Sequence, residues 1–254
     1  MRITLVSSAV DGGHDKQNAT SFVIDDTVAI DAGSLGFWRE PEDQARIKNL
    51  FLTHSHADHV ATLPIFVENA FEQKPDCVKV WGNAHVLRCI REDIFNDRLW
   101  PDFVELSTPE APYLELRELH AEEPVEVDGL RLTPVLVNHQ VRNFGFVIES
   151  EDGAVVIVSD TGPTERIWEL VNGLEDLRAV FLETAFPNGQ RELADVSRHL
   201  TPELFAREVK KIERETRLIV VHLKPRYRRE IEAELMALGI PGLEIGRPAE
   251  EYVF

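Results

Sequence analysis

The pattern of apolar and polar positions predicts strands alternating with helices along the whole chain. Residues 1–6 alternate with a period of two and read as a strand. Residues 21–24 and 27–30 read as a hairpin turning on Asp25-Asp26. Residues 50–53 are a short buried strand. A helix is expected from Asp58 or His59 to Glu72, with Pro64 limiting where it begins. A strand at 78–81 and a helix from 84 to 95 follow. The second half repeats this grammar. Residues 130–138 and 144–150 read as partner strands, and Glu151-Asp152-Gly153 is the turn that leads on. Residues 154–159 are apolar as a strand covered on both faces should be. A helix with Pro163 near its first position ends at Gly173, and 179–182 and 218–221 are further buried strands. Thr201 caps a helix that has Pro202 at its first position and runs to about Thr216. The last helix covers 228–238 and stops at Gly239. There is no internal repeat, low-complexity tract or flexible linker, so a single domain over 1–254 is expected, of the α/β class with two facing sheets and outer helices.

Composition narrows the function. The 254 residues carry 45 acidic and 27 basic side chains, a formal net charge of −18. Polyanions are bound through many Lys and Arg contacts, so a nucleic-acid partner is not expected. The one basic stretch, Lys224-Pro225-Arg226-Tyr227-Arg228-Arg229, reads as a solvated helix start. No run of apolar residues is long enough for a membrane span, and no secretory signal begins the chain. With two cysteines, Cys77 and Cys89, a reducing cytoplasm is the expected compartment. A homodimer is the default oligomer.

The candidate chemistry gathers where apolar strands end. The strand at 50–53 runs directly into His54, His56, Asp58 and His59. His139 follows Leu136-Val137-Asn138, Asp160 follows Val156-Ile157-Val158-Ser159, and His222 follows Leu218-Ile219-Val220-Val221. Strand ends at one sheet edge are a rigid place to collect ligands from distant parts of a chain. Imidazole and carboxylate suit zinc, iron or manganese without a thiolate. His54 and His56 are two apart and point the same way in extended backbone. The spacing suggests two metals, with His139 and His222 completing one set each and Asp160 bridging. Such a histidine run also occurs in surface loops, and Asp58 or Asp160 alone is an ordinary helix cap. His14, His85 and His120 lack strand-end placement and read as structural.

These residues resemble the metallo-β-lactamase superfamily, in ligand order and over nearly the whole chain. Asp31, in Ala29-Ile30-Asp31-Ala32-Gly33-Ser34, matches the aspartate that ends an early strand of that fold. The resemblance implies an αβ/βα four-layer sandwich with a dinuclear site. Within the superfamily the chain looks most like the class II cyclic-nucleotide phosphodiesterases. The stretches that carry this likeness are residues 94–103, Phe181-Leu182-Glu183-Thr184-Ala185-Phe186-Pro187-Asn188, Leu193-Ala194-Asp195 and His199-Leu200-Thr201-Pro202. It implies two divalent ions, zinc first, and hydrolysis of a 3′,5′-cyclic nucleotide to a 5′-nucleotide by a metal-bridging hydroxide. Asp58 would serve in catalysis as well as ligation. Glu183 would orient and charge His199, which would protonate the leaving oxygen. Two departures stand out. Thr62 replaces a glycine usual three residues after the histidine motif, and Gln140 replaces one that often follows the third metal histidine. A lactonase or thioesterase of the same fold, a tRNA 3′-processing endonuclease and a metal-binding sensor without turnover are the alternatives.

Overall fold

The computed structural model describes residues 1–9 and 17–254. His14 lies outside the described residues. The strands are β1 (Arg2–Leu5), β2 (Phe22–Ile24), β3 (Val28–Ile30), β4 (Asn49–Phe51), β5 (Val78–Gly82), β6 (Leu114–Glu118), β7 (Val125–Val127), β8 (Leu130–Val137), β9 (Asn143–Ser150), β10 (Gly153–Ile157), β11 (Leu177–Glu183), β12 (Arg217–Val221), β13 (Leu243–Ile245) and β14 (Glu251–Val253). The α-helices are α1 (Pro41–Gln44), α2 (Ala57–Val60), α3 (Leu63–Ala70), α4 (Ala84–Cys89), α5 (Phe103–Leu106), α6 (Arg166–Asn172), α7 (Arg191–Ser197), α8 (Pro202–Val209) and α9 (Arg228–Ala237).

The chain divides into two compact units. The N-terminal unit, Arg2–His120 with Pro248–Val253, holds a sheet ordered β14-β1-β2-β3-β4-β5-β6. Its first three pairings are antiparallel and its last three parallel. The β2–β3 hairpin turns through Asp25, Asp26 and Thr27, with Asp25 and Asp26 at positive φ and Thr27 N–H closing the turn on Ile24 O. Leu63, Phe66, Val67 and Ala70 of α3 and Val86 of α4 pack on Val23, Ala29, Leu50 and Val80 of this sheet.

The C-terminal unit, Ala121–Arg247 with Met1 and Phe254, holds a sheet ordered β13-β12-β11-β10-β9-β8-β7. Read from β7, it too has three antiparallel pairings followed by three parallel ones. Ile167, Trp168 and Val171 of α6, Leu204 and Phe205 of α8, and Ile231 and Leu235 of α9 pack on Val156, Val180, Leu182 and Val220. Both sheets are mixed and both carry helices, the layers of the αβ/βα class expected from the sequence.

Four expected helices are redrawn. The helix expected from residue 58 to 72 is two, α2 and α3, because the Thr62 N–H and hydroxyl both bond the Ala32 carbonyl at 2.9 Å. The helix expected to begin near Pro163 begins at Arg166, since Gly162 N–H donates to Asn138 O and Thr164 N–H to Glu208 Oε2. The helix capped by Thr201 ends at Val209, and the Lys211 ammonium then turns back onto Thr164 O, Glu165 and Glu208. The segment expected as a helix from 84 to 95 starts on an Asn83 cap and closes as a π turn over Ile90–Ile94.

Candidate metal centre and acid–base pair

In the N-terminal unit, β3 and β4 are parallel neighbours, so their C-terminal ends share one edge. β3 ends on Asp31, at φ 61°, and the chain after β4 carries Thr53, His54, His56, Asp58 and His59. His54 and His59 are fully buried, and their ring centroids lie 4.2 Å apart. The His56 ring stands 4.6 Å from that of His54, edge to face. Asp58 sits half-buried in the first turn of α2.

Asp31 organises this cluster. Its Oδ2 is 2.7 Å from His59 Nδ1, and Thr53 brings its N–H and hydroxyl to the same carboxyl group at 2.8–3.0 Å. Because the Thr53 hydroxyl donates to Asp31, its oxygen accepts from His54 Nδ1, 2.9 Å away. Both imidazoles thus carry their proton on Nδ1 and present Nε2 as the ligand atom, the arrangement in which a second partner orients a metal-binding histidine. Burial pushes the Asp31 carboxyl above its ordinary range, against the lowering pull of His59 and Thr53. Gly33 makes the loop possible, since a Cβ there would lie 2.0 Å from the Asp58 carbonyl oxygen. Thr62, one of the two departures, is a tie: its hydroxyl accepts from Gly36 N–H at 2.8 Å and donates to Ala32 O.

In the C-terminal unit, β10, β11 and β12 are parallel neighbours, and β8, two antiparallel steps from β10, runs the same way. Asp160, Glu183, His222 and His139 therefore follow or finish strands at one edge. The turns that expose them are left-handed at Ser159, φ 63°, and His222, φ 59°. Such backbone clusters at functional sites because the surrounding structure holds it there.

Asp160 stands between two histidines. Its Oδ2 is 4.0 Å from His139 Nε2 and its Oδ1 is 3.4 Å from His222 Nδ1. Ligand atoms of one tetrahedral metal with bonds of about 2.1 Å lie about 3.4 Å apart. The His222 separation matches that spacing, and the His139 separation exceeds it. Asn143, a fully buried polar residue opening the apolar strand β9, anchors the segment by donating to Asp160 O at 2.6 Å. Sequence reasoning passed over Asn143, although a lone amide in an otherwise apolar strand is the signal that marks such an anchor.

His199 belongs to the same cluster. Its ring centroid is 5.1 Å from His139 and 5.6 Å from His222, and Asp160, His199 and His222 offer ligand atoms within 4.8 Å of one another. His199 Nδ1 meets Glu183 Oε1 at 2.6 Å. Glu183 is fully buried and also accepts from the N–H groups of Thr161, Ala185 and Leu200 at 3.0–3.2 Å. Burial disfavours charge on His199, but the charge and hydrogen bond of Glu183, with Asp160 beyond, outweigh it. Its imidazole is pushed above the ordinary histidine value, against a smaller opposing pull from Lys224. Outside the clusters, His85 packs beside Cys89 at 3.8 Å and His120 is exposed near Glu118.

Residues 26–223 match the β-lactamase superfamily domain. The chain belongs to the metallo-β-lactamase superfamily. A probable 3′,5′-cyclic-nucleotide phosphodiesterase of Yersinia pestis is 24% identical over 88% of this chain and 78% of its own length. A 3′,5′-cyclic-nucleotide phosphodiesterase of Aliivibrio fischeri is 26% identical over 66% of this chain and 54% of its own. Among solved structures, unliganded yeast PDE1 superposes with a TM-score of 0.80 at 17% identity, covering 98% of each chain. Human tRNase Z, short form, superposes at 0.70 and 17%, covering 100% of this chain and 99% of that one. These superpositions establish the metallo-β-lactamase fold. With that fold and its clustered His and Asp side chains, the protein is a metal-dependent hydrolase. The donor set of imidazoles and carboxylates fits a divalent ion, and the Nδ1 atoms of His54, His59 and His139 each meet an oxygen partner.

Proposed function

We propose that this superfamily member is a phosphodiesterase that hydrolyses 3′,5′-cyclic nucleotides to 5′-nucleotides with two divalent ions. Zinc is the first choice, and iron and manganese suit the same donors. The ligands would be His54, His56, Asp58, His59, His139, Asp160 and His222. Bound there, the ions would supply the Lewis acidity that activates water and offsets charge on the phosphoryl oxygens.

The observation that carries the reading is the buried Glu183–His199 pair beside Asp160 and His222. A ribose alkoxide is a poor leaving group and needs a proton as the P–O bond breaks. Glu183 holds His199 by Nδ1 and favours its protonated form, so Nε2 is the atom that delivers the proton. The two similar proteins from Yersinia pestis and Aliivibrio fischeri, both named for cyclic-nucleotide cleavage, support the same substrate class. The net charge of −18 supports a small diester over a nucleic acid, and two free thiols fit a reducing cytoplasm.

The deciding experiment assays cyclic AMP, cyclic GMP, bis-p-nitrophenyl phosphate, a carboxylic ester and a lactone on protein of measured metal content. Cyclic-nucleotide turnover should fall roughly 10²–10⁴-fold in His199→Ala. The p-nitrophenyl diester, with its good leaving group, should fall far less, and metal content should hold. Turnover of the ester or lactone with none of the diesters would overturn the proposal.

A further inference from the structure

We propose that Arg198 and Gln140 are positioning residues, a two-point clamp that locks the ligand His139 and the acid-bearing turn before His199 into one piece. The inference rests on the metal reading above and adds to it two residues outside the ligand set.

Arg198 and His139 are bonded in both directions. The His139 Nδ1–H donates to the Arg198 carbonyl at 3.2 Å, and the Arg198 guanidinium donates through Nη1 to the His139 carbonyl at 2.5 Å. A backbone oxygen can only accept, so the first bond places the imidazole proton on Nδ1. His139 Nε2, 4.0 Å from Asp160 Oδ2, is then the atom that faces the metal. The next residue adds the second point, since Gln140 Nε2 donates to the carbonyl of Val196 at the end of α7. Residues 139 and 140 thus grip residues 198 and 196 across 59 and 56 positions of chain.

The backbone of Arg198 explains why this grip also governs His199. Arg198 closes α7 in the left-handed region, φ 54°, ψ 57°. That turn lets its carbonyl reach His139, while His199 N–H bonds Ala194 O at 2.9 Å and the next ring falls on Glu183. Left-handed C-terminal residues of helices are ordinarily glycine. Arginine there bears a conformational cost that glycine avoids, and what it contributes in return is the guanidinium bond to His139. Gly162 lies under the same turn, with room for a Cβ only 3.5 Å from Arg198 Cα. Ligand orientation and acid placement are therefore set by one residue.

The test compares the parent chain with Arg198→Gly, Arg198→Lys and Gln140→Gly. Metal-stripped proteins are titrated with zinc against a chromophoric chelator, and their thermal unfolding is followed before metal is added. Arg198→Gly should unfold no earlier than the parent, because glycine suits the backbone. It keeps the main-chain carbonyl that takes the His139 Nδ1 proton but loses the guanidinium bond that fixes the His139 backbone, and so should bind zinc roughly 10-fold more weakly. Arg198→Lys, which can still donate to the His139 carbonyl, should recover most of that loss, and Gln140→Gly should weaken zinc in the same direction but less. In turnover of a cyclic nucleotide, Arg198→Gly should lower kcat more than it changes KM. Parent-like zinc affinity in Arg198→Gly, or a lysine variant no better than the glycine one, overturns the clamp. Failure of the parent itself to bind zinc, iron or manganese overturns the metal reading instead.

Discussion

Asp31 acts on two histidines at once, directly on His59 at 2.7 Å and through the Thr53 hydroxyl on His54. Asp31→Asn keeps the shape and an oxygen that accepts from the Thr53 N–H and hydroxyl, but sets an NH2, which cannot accept, against the His59 Nδ1 proton. Zinc affinity, measured by chelator competition, should fall roughly 10–100-fold while the far-ultraviolet circular dichroism stays unchanged. Parent-like affinity would mean that packing alone orients the ring. The metal-competent residues are legible in the sequence because His54, His139, Asp160 and His222 follow apolar stretches directly or one residue on, with His56, Asp58 and His59 in the run that continues from His54, and ligand type is a local property. Their orienting partners are not legible. Thr53, Arg198 and Asn143 act through hydrogen bonds to residues that the sequence pattern does not pair with them. Thr62 and Gln140, which stand out from the sequence as departures, turn out to be ties to Gly36 and Val196.

Helices α6 and α8 are joined by one buried carboxylate. Glu208 accepts from Trp168 Nε1 at 2.7 Å and Thr164 N–H at 3.1 Å, and its other oxygen takes the Lys211 ammonium at 2.7 Å. Glu208→Ala strands two buried donors, the Trp168 Nε1–H and the Thr164 N–H, removes one of the partners of Lys211, and should cost about 3 kcal/mol. For a chain of this length that is a Tm lower by about 6–12 °C, read by thermal unfolding. A change below about 1 kcal/mol would show that water replaces the carboxylate. Apart from β6, β7, β13 and β14, which the pattern did not mark, the strand positions were readable, as were the Asp25-Asp26 hairpin, the Thr201-Pro202 helix start and the Gly239 stop, because period, caps and left-handed turns are local. Helix ends were less so. The continuous helix expected over residues 58–72 breaks where Thr62 bonds Ala32, and α8 stops short where Lys211 folds back, both tertiary effects on a locally helical pattern.

At the scale of the molecule, a net charge of −18 puts a repulsive field on the folded chain. Raising salt from about 0.01 M to about 0.1 M shortens the screening length from about 30 Å to about 10 Å. The Tm should rise over that interval, and a fall would mean that local ion pairs such as Arg166–Glu122 outweigh the global repulsion. Each unit repeats one sheet plan, three antiparallel pairings and then three parallel ones, although no repeat is visible in the sequence. Pairing order depends on backbone direction and buried apolar area, and many unrelated sequences satisfy both. The sequence alone determined the α/β class, the strand ends and the residue types that meet a metal, because periodicity and strand-end chemistry are written within a few residues. Only the tertiary structure decided that Asp160 divides its oxygens between His139 and His222, that Glu183 takes three backbone N–H groups beside His199, and that Arg198 holds His139. Apart from the Ala185 N–H on Glu183, those contacts join residues 16 to 62 apart in the chain, brought to one sheet edge by parallel pairing of β10, β11 and β12.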